Sequence, residues 1–428
     1  MNTITDYYDI IIVGGGASGL MLAAQLDLRL RNNSHGIILE GSSRPGTKLL
    51  MSGGGRCNIT HAGSIKKFID AYGDAGRKLR RCLYRHSNEN LMSWLESGGI
   101  SLREDKGRIF PSSMKSQDVL DLLLKRASEN GWQLQTNARV CDIRRHSDTG
   151  DAQVSDTHRH SDTGGVQVCD ARRESTNGGS VGTGYANWEV VVDGRDNSRS
   201  YMCRDLVIAC GGITYPETGS DGSMFKVLRE LGVGVSELRS ALAPVYVENY
   251  PYAELSGISI SDVAVSVFEA ASSDGSGRRI AQMSGDLLFT HVGFSGPAIL
   301  NISRYAKAGR TLCIDYRKEF QELPRRMQAV FTERSKGSSG DIRTKLLASL
   351  LKCDEFTISG VDEHGMVTAG GVSLSELDLS TMKLNSFRNS GAGDIYVIGE
   401  AIDADGITGG YNLQLCWSTS AAAADAVR

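Results

Sequence analysis

Apolar runs divide the chain into segments of two kinds. Asp9 to Val13 (DIIIV) is short, apolar and without alternation, the pattern of a strand buried on both faces of a parallel sheet. A glycine turn follows, then Ala17 to Leu30 with helix-like composition, then a second apolar run, Gly36 to Glu40 (GIILE). Together they predict a β-α-β unit. Residues 41–61 read as a glycine-rich loop and 76–97 as helix. Gln117 to Asn130 reads as an amphipathic helix with Val119, Leu120, Leu123, Leu124 and Ala127 on one side. Strands are expected at Ala138 to Ile143, Trp188 to Val192 and Asp205 to Cys210.

From about 241 to 370 the pattern changes. Short alternating runs such as Val263 to Phe268 and Asp286 to Thr290 predict β-structure, and Leu323 to Arg334 and Ile342 to Leu351 predict two short helices. The first pattern returns at Asp394 to Gly399 (DIYVIG), and Ser418 to Val427 closes the chain as an Ala-rich helix. The expected organisation is therefore an α/β dinucleotide-binding fold in two parts, 1–240 and 371–428. A β-rich insert at 241–370 separates them, with its helices at about 315–352. Within the first part, residues 146–159 (HSDTGDAQVSDTHR) and 160–173 (HSDTGGVQVCDARR) repeat with a period of 14. Two polar copies cannot bury a core, so 146–185 is expected to be a surface insertion.

Composition narrows the function. The 428 residues are 40% hydrophobic and 23% charged, long enough for two or three domains. The net charge of −3 gives no basic excess, so no nucleic-acid partner is expected. The 9 cysteines contain no C-x-x-C pair, which removes support for zinc or thioredoxin-like chemistry, and no metal is expected. Scattered, unpaired cysteines fit a reducing compartment. With no secretory leader pattern and no long apolar run, a cytoplasmic protein without a membrane partner is expected.

Chemistry concentrates in the glycine clusters. Gly14-x-Gly16-x-x-Gly19 follows a strand and opens a helix. The first glycine permits the turn, the second admits a pyrophosphate, and the third lets helix and strand pack closely. Glu40 lies 26 residues after Gly14, near the usual spacing of about 20 for the carboxylate that binds a ribose. That carboxylate would repel a 2′-phosphate, leaving FAD or NAD. The far end of the chain points to FAD. There a strand ends in Gly399-Glu400, followed by Asp403, Gly409-Gly410-Tyr411-Asn412 and a helix. A carboxylate there suits ribityl hydroxyls, and the helix N-terminus suits the flavin edge on which negative charge develops. Arg44, Lys48 and Arg56 are candidates to neutralise pyrophosphate. Ser52, Gly53 and Gly54 would carry backbone past the flavin, with Cys57 and Asn58 close to the ring. Ala17, Ser18, Gly41, Val140, Gly211, Gly212 and Leu413 complete the candidate cofactor contacts.

The motifs SGGGRCNIT (52–60), ACGGITYPETGSDG (209–222), LLFTHVGFSGPAILNIS (287–303), TAGGVSLSEL (368–377) and GEAIDADGITGGYNLQLCW (399–417) span nearly the whole chain. Together they resemble the BaiN-like, or aminoacetone-oxidase-like, NAD(P)/FAD-dependent oxidoreductases of bacteria. The resemblance implies an FAD domain of the glutathione-reductase type, interrupted by an insert that is partly β-barrel and partly helical. It implies reduction of steroid enones or oxidation of an aminoketone. The repeat departs from the family pattern, as does MKLNS at 382–386, where the family commonly reads M-E-S-K.

No second G-x-G-x-x-G follows a strand, so NADH or NADPH, as transient reductant, would share an open cleft with a small-molecule substrate. His291 is the candidate general acid by residue type. Tyr215 and Tyr411 are alternatives, and Cys57 follows an arginine that would favour its thiolate. Two further readings stay open: a flavin-dependent RNA-modifying protein, and FAD as a purely structural cofactor.

Overall fold

β1 (Asp6–Val13) leads through a glycine turn into α1 (Ala17–Gln25), and β2 (Gly36–Leu39) returns beside β1. The helix α2 (Ser116–Glu129), β3 (Trp132–Gln135) and β4 (Arg199–Ile208) follow. In the computed structural model the described residues are 6–31, 34–146, 187–193, 199–269, 277–335, 340–387 and 393–427. The repeat lies outside them except for His146.

The strands β5 (Val245–Val247), β6 (Ser259–Phe268), β7 (Arg279–Phe289), β8 (Phe294–Ser295), β9 (Thr311–Asp315) and β10 (Asp354–Val361) form a closed barrel in the order β5-β8-β7-β6-β9-β10. The ring closes between β10 and β5 through Val361 and Val245. Helices Arg325–Arg334 and Gly340–Lys352 connect β9 to β10. The first of them buries Met327 and Phe331 in the barrel core, beside Tyr252, Phe289, Phe294, Tyr316 and Phe356.

After the barrel, β11 (Ile395–Val397) and α3 (Gly409–Ala426) rejoin the N-terminal unit. The main sheet runs Leu377–Asp378, Lys383–Leu384, β11, β4, β1, β2, β3. β11, β4, β1, β2 and β3 are mutually parallel. Their registers align Val397, Ile208, Val13 and Leu39, so these strands end at one carboxyl edge. An antiparallel branch, Asn187–Val192 with Val140–His146, joins β4. The fold is therefore a Rossmann-like α/β sheet with a six-stranded barrel and helices between β4 and β11, as the patterning and the resemblance predict.

Several expected boundaries move. α1 stops at Gln25, because Leu26 turns extended and the Asp27 carboxylate accepts from Arg29 N–H to start a separate 3-10 turn. The stretch 76–97 is three helices, the last restarted by a reciprocal capping box between Ser87 and Asn90. The 41–61 loop contains a short helix, Thr47–Met51. The closing helix begins at Gly409, well before the expected Ser418. Cys313 and Cys353, expected unpaired, form a disulfide linking β9 to the residue before β10.

An ion pair between the partly exposed Arg334 and the buried Asp354 secures the first connecting helix to the barrel. Asp354 is fully buried, and it accepts from Arg334 at 3.0 and 3.1 Å, from Tyr316 at 3.0 Å and from Tyr252. Burial pushes its carboxyl up, while Arg334 pulls it down. Removing one partner of such a pair leaves a charge stranded in the core. Arg334→Met is therefore expected to destabilise the protein by about 3–5 kcal/mol, read as a drop in the denaturant midpoint. An unchanged midpoint would show that the pair contributes nothing.

Candidate cofactor and active site

A cavity of about 830 Å³ runs along the carboxyl edge of the sheet, with Pro297 and Met366 reaching it from the barrel side. That volume lies within the range of about 300–1,000 Å³ for small-molecule and cofactor sites. The turn after β1 forms one end. Gly16 is the N-cap of α1 and supplies no side-chain cap, so the first N–H groups of the helix stay available. Gly14 has φ +108°, and a Cβ there would meet the Ala209 carbonyl oxygen at 2.4 Å. At Gly19 a Cβ would lie 2.0 Å from the Gly14 oxygen, whereas at Gly16 it would meet nothing within 4 Å. Two glycines thus hold the turn together, and the third leaves open space inside the cavity wall. Glu40 is buried, and its carboxylate accepts from Gly15 N–H at 2.8 Å and from Ser42 N–H and Oγ at 2.7 Å each. Those three bonds fix the carboxylate and leave it one further lone pair.

The middle of the cavity is bounded by Ser52–Gly55, a turn with φ of 59°, 66° and 84° at Gly53, Gly54 and Gly55. Three consecutive left-handed residues explain the triple glycine. Lys48 Nζ donates to Glu400 Oε2 at 2.6 Å and to Thr214 Oγ1 at 2.8 Å, so this lysine is paired with a carboxylate. Glu400 Oε1 also accepts from Thr368 N–H at 2.8 Å. Tyr215 borders the same stretch in a left-handed conformation, with Lys48 Nζ 5.6 Å from its ring centroid. Such strain in a non-glycine residue is typical of ligand sites.

At the other end α3 begins at its N-cap Thr408, again without a side-chain cap. Thr408 Oγ1 is instead 2.7 Å from His61 Nε2, and the His61 ring stacks on Tyr411 at 4.2 Å. A small sheet sets this corner: Thr60–His61 pairs with Arg108–Pro111, putting Arg108 opposite His61. Burial is the main influence lowering the His61 pKa; the Gly107 carbonyl opposes it and Arg108 adds to it. Asn58 Oδ1 is buried with no hydrogen-bond partner in the structure, and Asn58 lines the cavity.

Of the expected residues, Gly14, Gly16, Ala17, Ser18, Glu40, Gly41, Arg44, Lys48, Ser52, Gly53, Gly54, Arg56, Asn58, Val140, Gly211, Tyr215, Glu400, Gly409, Asn412 and Leu413 line this one cavity. Gly19, Gly212, Gly399, Gly410, Tyr411 and Asp403 stand outside that lining. Arg44 turns to Gln117 at 2.9 Å. Cys57 is buried, and burial pushes its thiol up to about 12, so Arg56 does not hold it as a thiolate. His291 is exposed on the turn between β7 and β8 and does not reach the cavity. His61, Lys106, Arg108, Phe110, Met366 and Thr408 line it without having been singled out. Thr408 would be legible as an N-cap only if the helix were read to start at Gly409, where two glycines suggest a loop; His61 and Arg108 meet through sheet pairing.

The HI0933-like protein Rossmann domain family model matches residues 8–186 and 183–426. The chain belongs to this family. It is an enzyme of the FAD-dependent oxidoreductase type. Among curated relatives, a ribosomal RNA dihydrouridine synthase of Haemophilus influenzae is 25% identical, over 98% of this chain and 98% of the relative. A 3-dehydro-bile acid delta(4,6)-reductase of Clostridium scindens is also 25% identical, over 95% and 96%. The 3-ketosteroid-delta4-(5alpha)-dehydrogenase of Rhodococcus jostii RHA1 shares the fold with a TM-score of 0.50 at 13% identity, over 99% of this chain and 97% of that one. A flavocytochrome c3 fumarate reductase does so with a TM-score of 0.51 at 14%, over 99% and 78%.

The donors present suit FAD. Two uncapped helix N-termini, a fixed carboxylate, open space at Gly16 and Gly409, and an unpartnered Asn58 oxygen share the cavity. Gly16→Val is expected to fold and lose most of its FAD. Gly19→Ala is expected to lose stability, by about 1–3 kcal/mol or more. Flavin absorbance per chain and thermal unfolding separate the two effects. Full FAD content in Gly16→Val would take Gly16 out of the site.

Proposed function

We propose that this chain reduces a carbon–carbon double bond conjugated to a carbonyl, with FAD as the bound cofactor and NADH or NADPH as reductant. The observation that supports this most is the mouth of the cavity. Met51 and Met366 line the cavity and are 46% and 43% exposed, and Phe110, Pro297 and Tyr215 line it too. Apolar side chains left open to solvent mark a binding surface, and methionine adapts to flat or irregular ligands. Arg56, Lys106 and Arg108 line the same cavity, so an apolar substrate carrying an anionic group suits it. Two relatives' names describe one bond type. A bile acid Δ4,6-reduction saturates bonds conjugated to a 3-oxo group, and dihydrouridine is uridine with its carbonyl-conjugated bond saturated.

When bound, FAD supplies hydride transfer. The chain's own residues bind and orient. The N–H groups at the start of α1 and the Glu40 carboxylate would hold the dinucleotide half, and Lys48 with Glu400 would hold the ribityl region. The start of α3 would face the flavin edge that gains charge, and Asn58 would bond the ring. One dinucleotide motif serves FAD, so nicotinamide and substrate take turns in the open mouth. A second reading, uracil in RNA as substrate, draws on the basic rim and on the dihydrouridine synthase relatives; the net charge of −3 weighs against a general nucleic-acid face.

Anaerobic stopped-flow tests this reading. NADH or NADPH should bleach the flavin, and 4-androstene-3,17-dione should restore its colour, with parallel initial-rate lines in the steady state. Restoration by a uridine-containing RNA oligomer alone would move the substrate to uracil. Intersecting lines would contradict the shared mouth, and a flavin that no nicotinamide bleaches would sink the proposal.

A further inference from the structure

A reduction of this kind consumes a proton as well as a hydride, and the expected acid, His291, lies away from the cavity. We propose that His61 stores that proton and passes it on through the Thr408 hydroxyl at the start of α3. The inference rests on the reductase reading above.

Three independent features meet at this pair. First, the Thr408 hydroxyl occupies an N-cap position but does not cap its helix; it bonds His61 Nε2 at 2.7 Å. An N-cap threonine ordinarily accepts from the second or third N–H of its helix, to the benefit of about 0.5–2 kcal/mol. Here that stabilisation is given up: the Tyr411 N–H bonds the Thr408 carbonyl at 3.1 Å, and the Gly409 and Gly410 N–H groups stay open. Second, the imidazole is held in one orientation by stacking on Tyr411 at 4.2 Å with an interplanar angle of 7°. Tyr411 is itself braced by Tyr72, whose hydroxyl donates to the Tyr411 carbonyl at 2.7 Å. Third, His61 and Thr408 both line the cavity.

The surroundings suit both protonation states. In the imidazolium, the Thr408 oxygen accepts from the Nε2–H, and the Gly107 carbonyl favours the charged ring. In the neutral ring, the Thr408 hydroxyl donates back to Nε2. Half-burial and Arg108 make the imidazolium a stronger acid than a free histidine. Among titratable or charged groups, Arg108 lies opposite it in the small sheet and Tyr411 of α3 stacks on it; Tyr72 packs edge-on against Tyr411, and Lys106 and Arg56 line the same cavity. Negative charge added at the start of α3 would raise its proton affinity.

The step balances. Hydride addition to the β-carbon breaks the π bond and leaves an electron pair on the α-carbon, delocalised into the carbonyl. That pair takes the Thr408 hydroxyl proton as the hydroxyl oxygen takes the Nε2 proton. His61 is left neutral, and solvent restores its proton.

The test photoreduces the holoenzyme, so that nicotinamide binding is not involved, and follows reoxidation by cyclohex-2-enone from pH 5 to 9. A redox titration of the same proteins gives the midpoint potential against pH. The wild-type rate should fall as pH rises through the imidazole pKa. His61→Gln keeps a bonding partner for Thr408 but cannot carry the proton. It should reoxidise about 10²–10⁴-fold more slowly, lose the pH limb, and show a flatter dependence of potential on pH. Thr408→Val should lose the rate without losing FAD, and Thr408→Ser should retain it. A His61→Gln enzyme with wild-type rate and pH limb would overturn the inference, as would a Thr408→Val enzyme with wild-type rate. If His61→Gln fails to hold FAD, Thr408→Val still decides. If the wild-type flavin is not reoxidised by the enone, the reductase reading fails; the titration then judges His61, and an unchanged slope in His61→Gln overturns its role.

Discussion

The site depends on the packing of the first helix against the last. Both α1 and α3 start at the carboxyl edge of the parallel sheet, and they touch through small residues. Ser18, Gly19, Ala23 and Ala24 are buried on α1, and Ser418, Thr419, Ser420 and Ala421–Ala424 on α3. Ser420 Oγ donates to the Ser18 carbonyl at 2.8 Å, directly between the helices. Larger side chains would push the helices apart and separate their N-termini. As built, two positive helix ends face one cavity from opposite ends of the sequence, a geometry suited to a ligand with an anionic centre and an electron-accepting ring.

The barrel completes this cavity, and polar contacts hold it in place. Arg304 follows the helix that begins at Pro297. It pairs with Asp405 and reaches the Ala71 carbonyl at 3.5 Å. Burial pushes the Asp405 carboxyl up, and Arg304 opposes the effect. Asp405 lies three residues before Thr408, so the contact that seats the barrel also anchors the loop leading into α3. The open mouth between Met366 and Met51 is in this sense a product of both parts of the molecule.

What was legible in the sequence follows the range of the interactions involved. The β-α-β unit announced itself because β1, the glycine turn and α1 are neighbours in the chain, and the same local logic exposed Glu40 and Glu400. The start of α3 was misread. Gly409 and Gly410 have loop propensity, yet the helix starts there: a Cβ at Gly410 would lie 2.7 Å from Asn58 and from His61, while one at Gly409 would face open space. His61 carried no local signal, since its partners Arg108 and Thr408 arrive through sheet pairing and helix docking. Cys57 misled for a related reason. Arg56 is adjacent in sequence, but its guanidinium turns back to the Gly53 carbonyl and over Phe110 while the thiol faces the core.

The antiparallel branch has a consequence for how this architecture accommodates change. Its last rung pairs His146 with Asn187, so the chain leaves and re-enters the sheet at adjacent points. Any segment whose two ends lie side by side can be spliced there without altering the register of a single strand. Because closure entropy grows only slowly with length, roughly 0.6 kcal/mol per doubling, this hairpin is a natural port. A reporter domain or an affinity module could be grafted at it while the sheet edge that builds the cavity keeps its geometry.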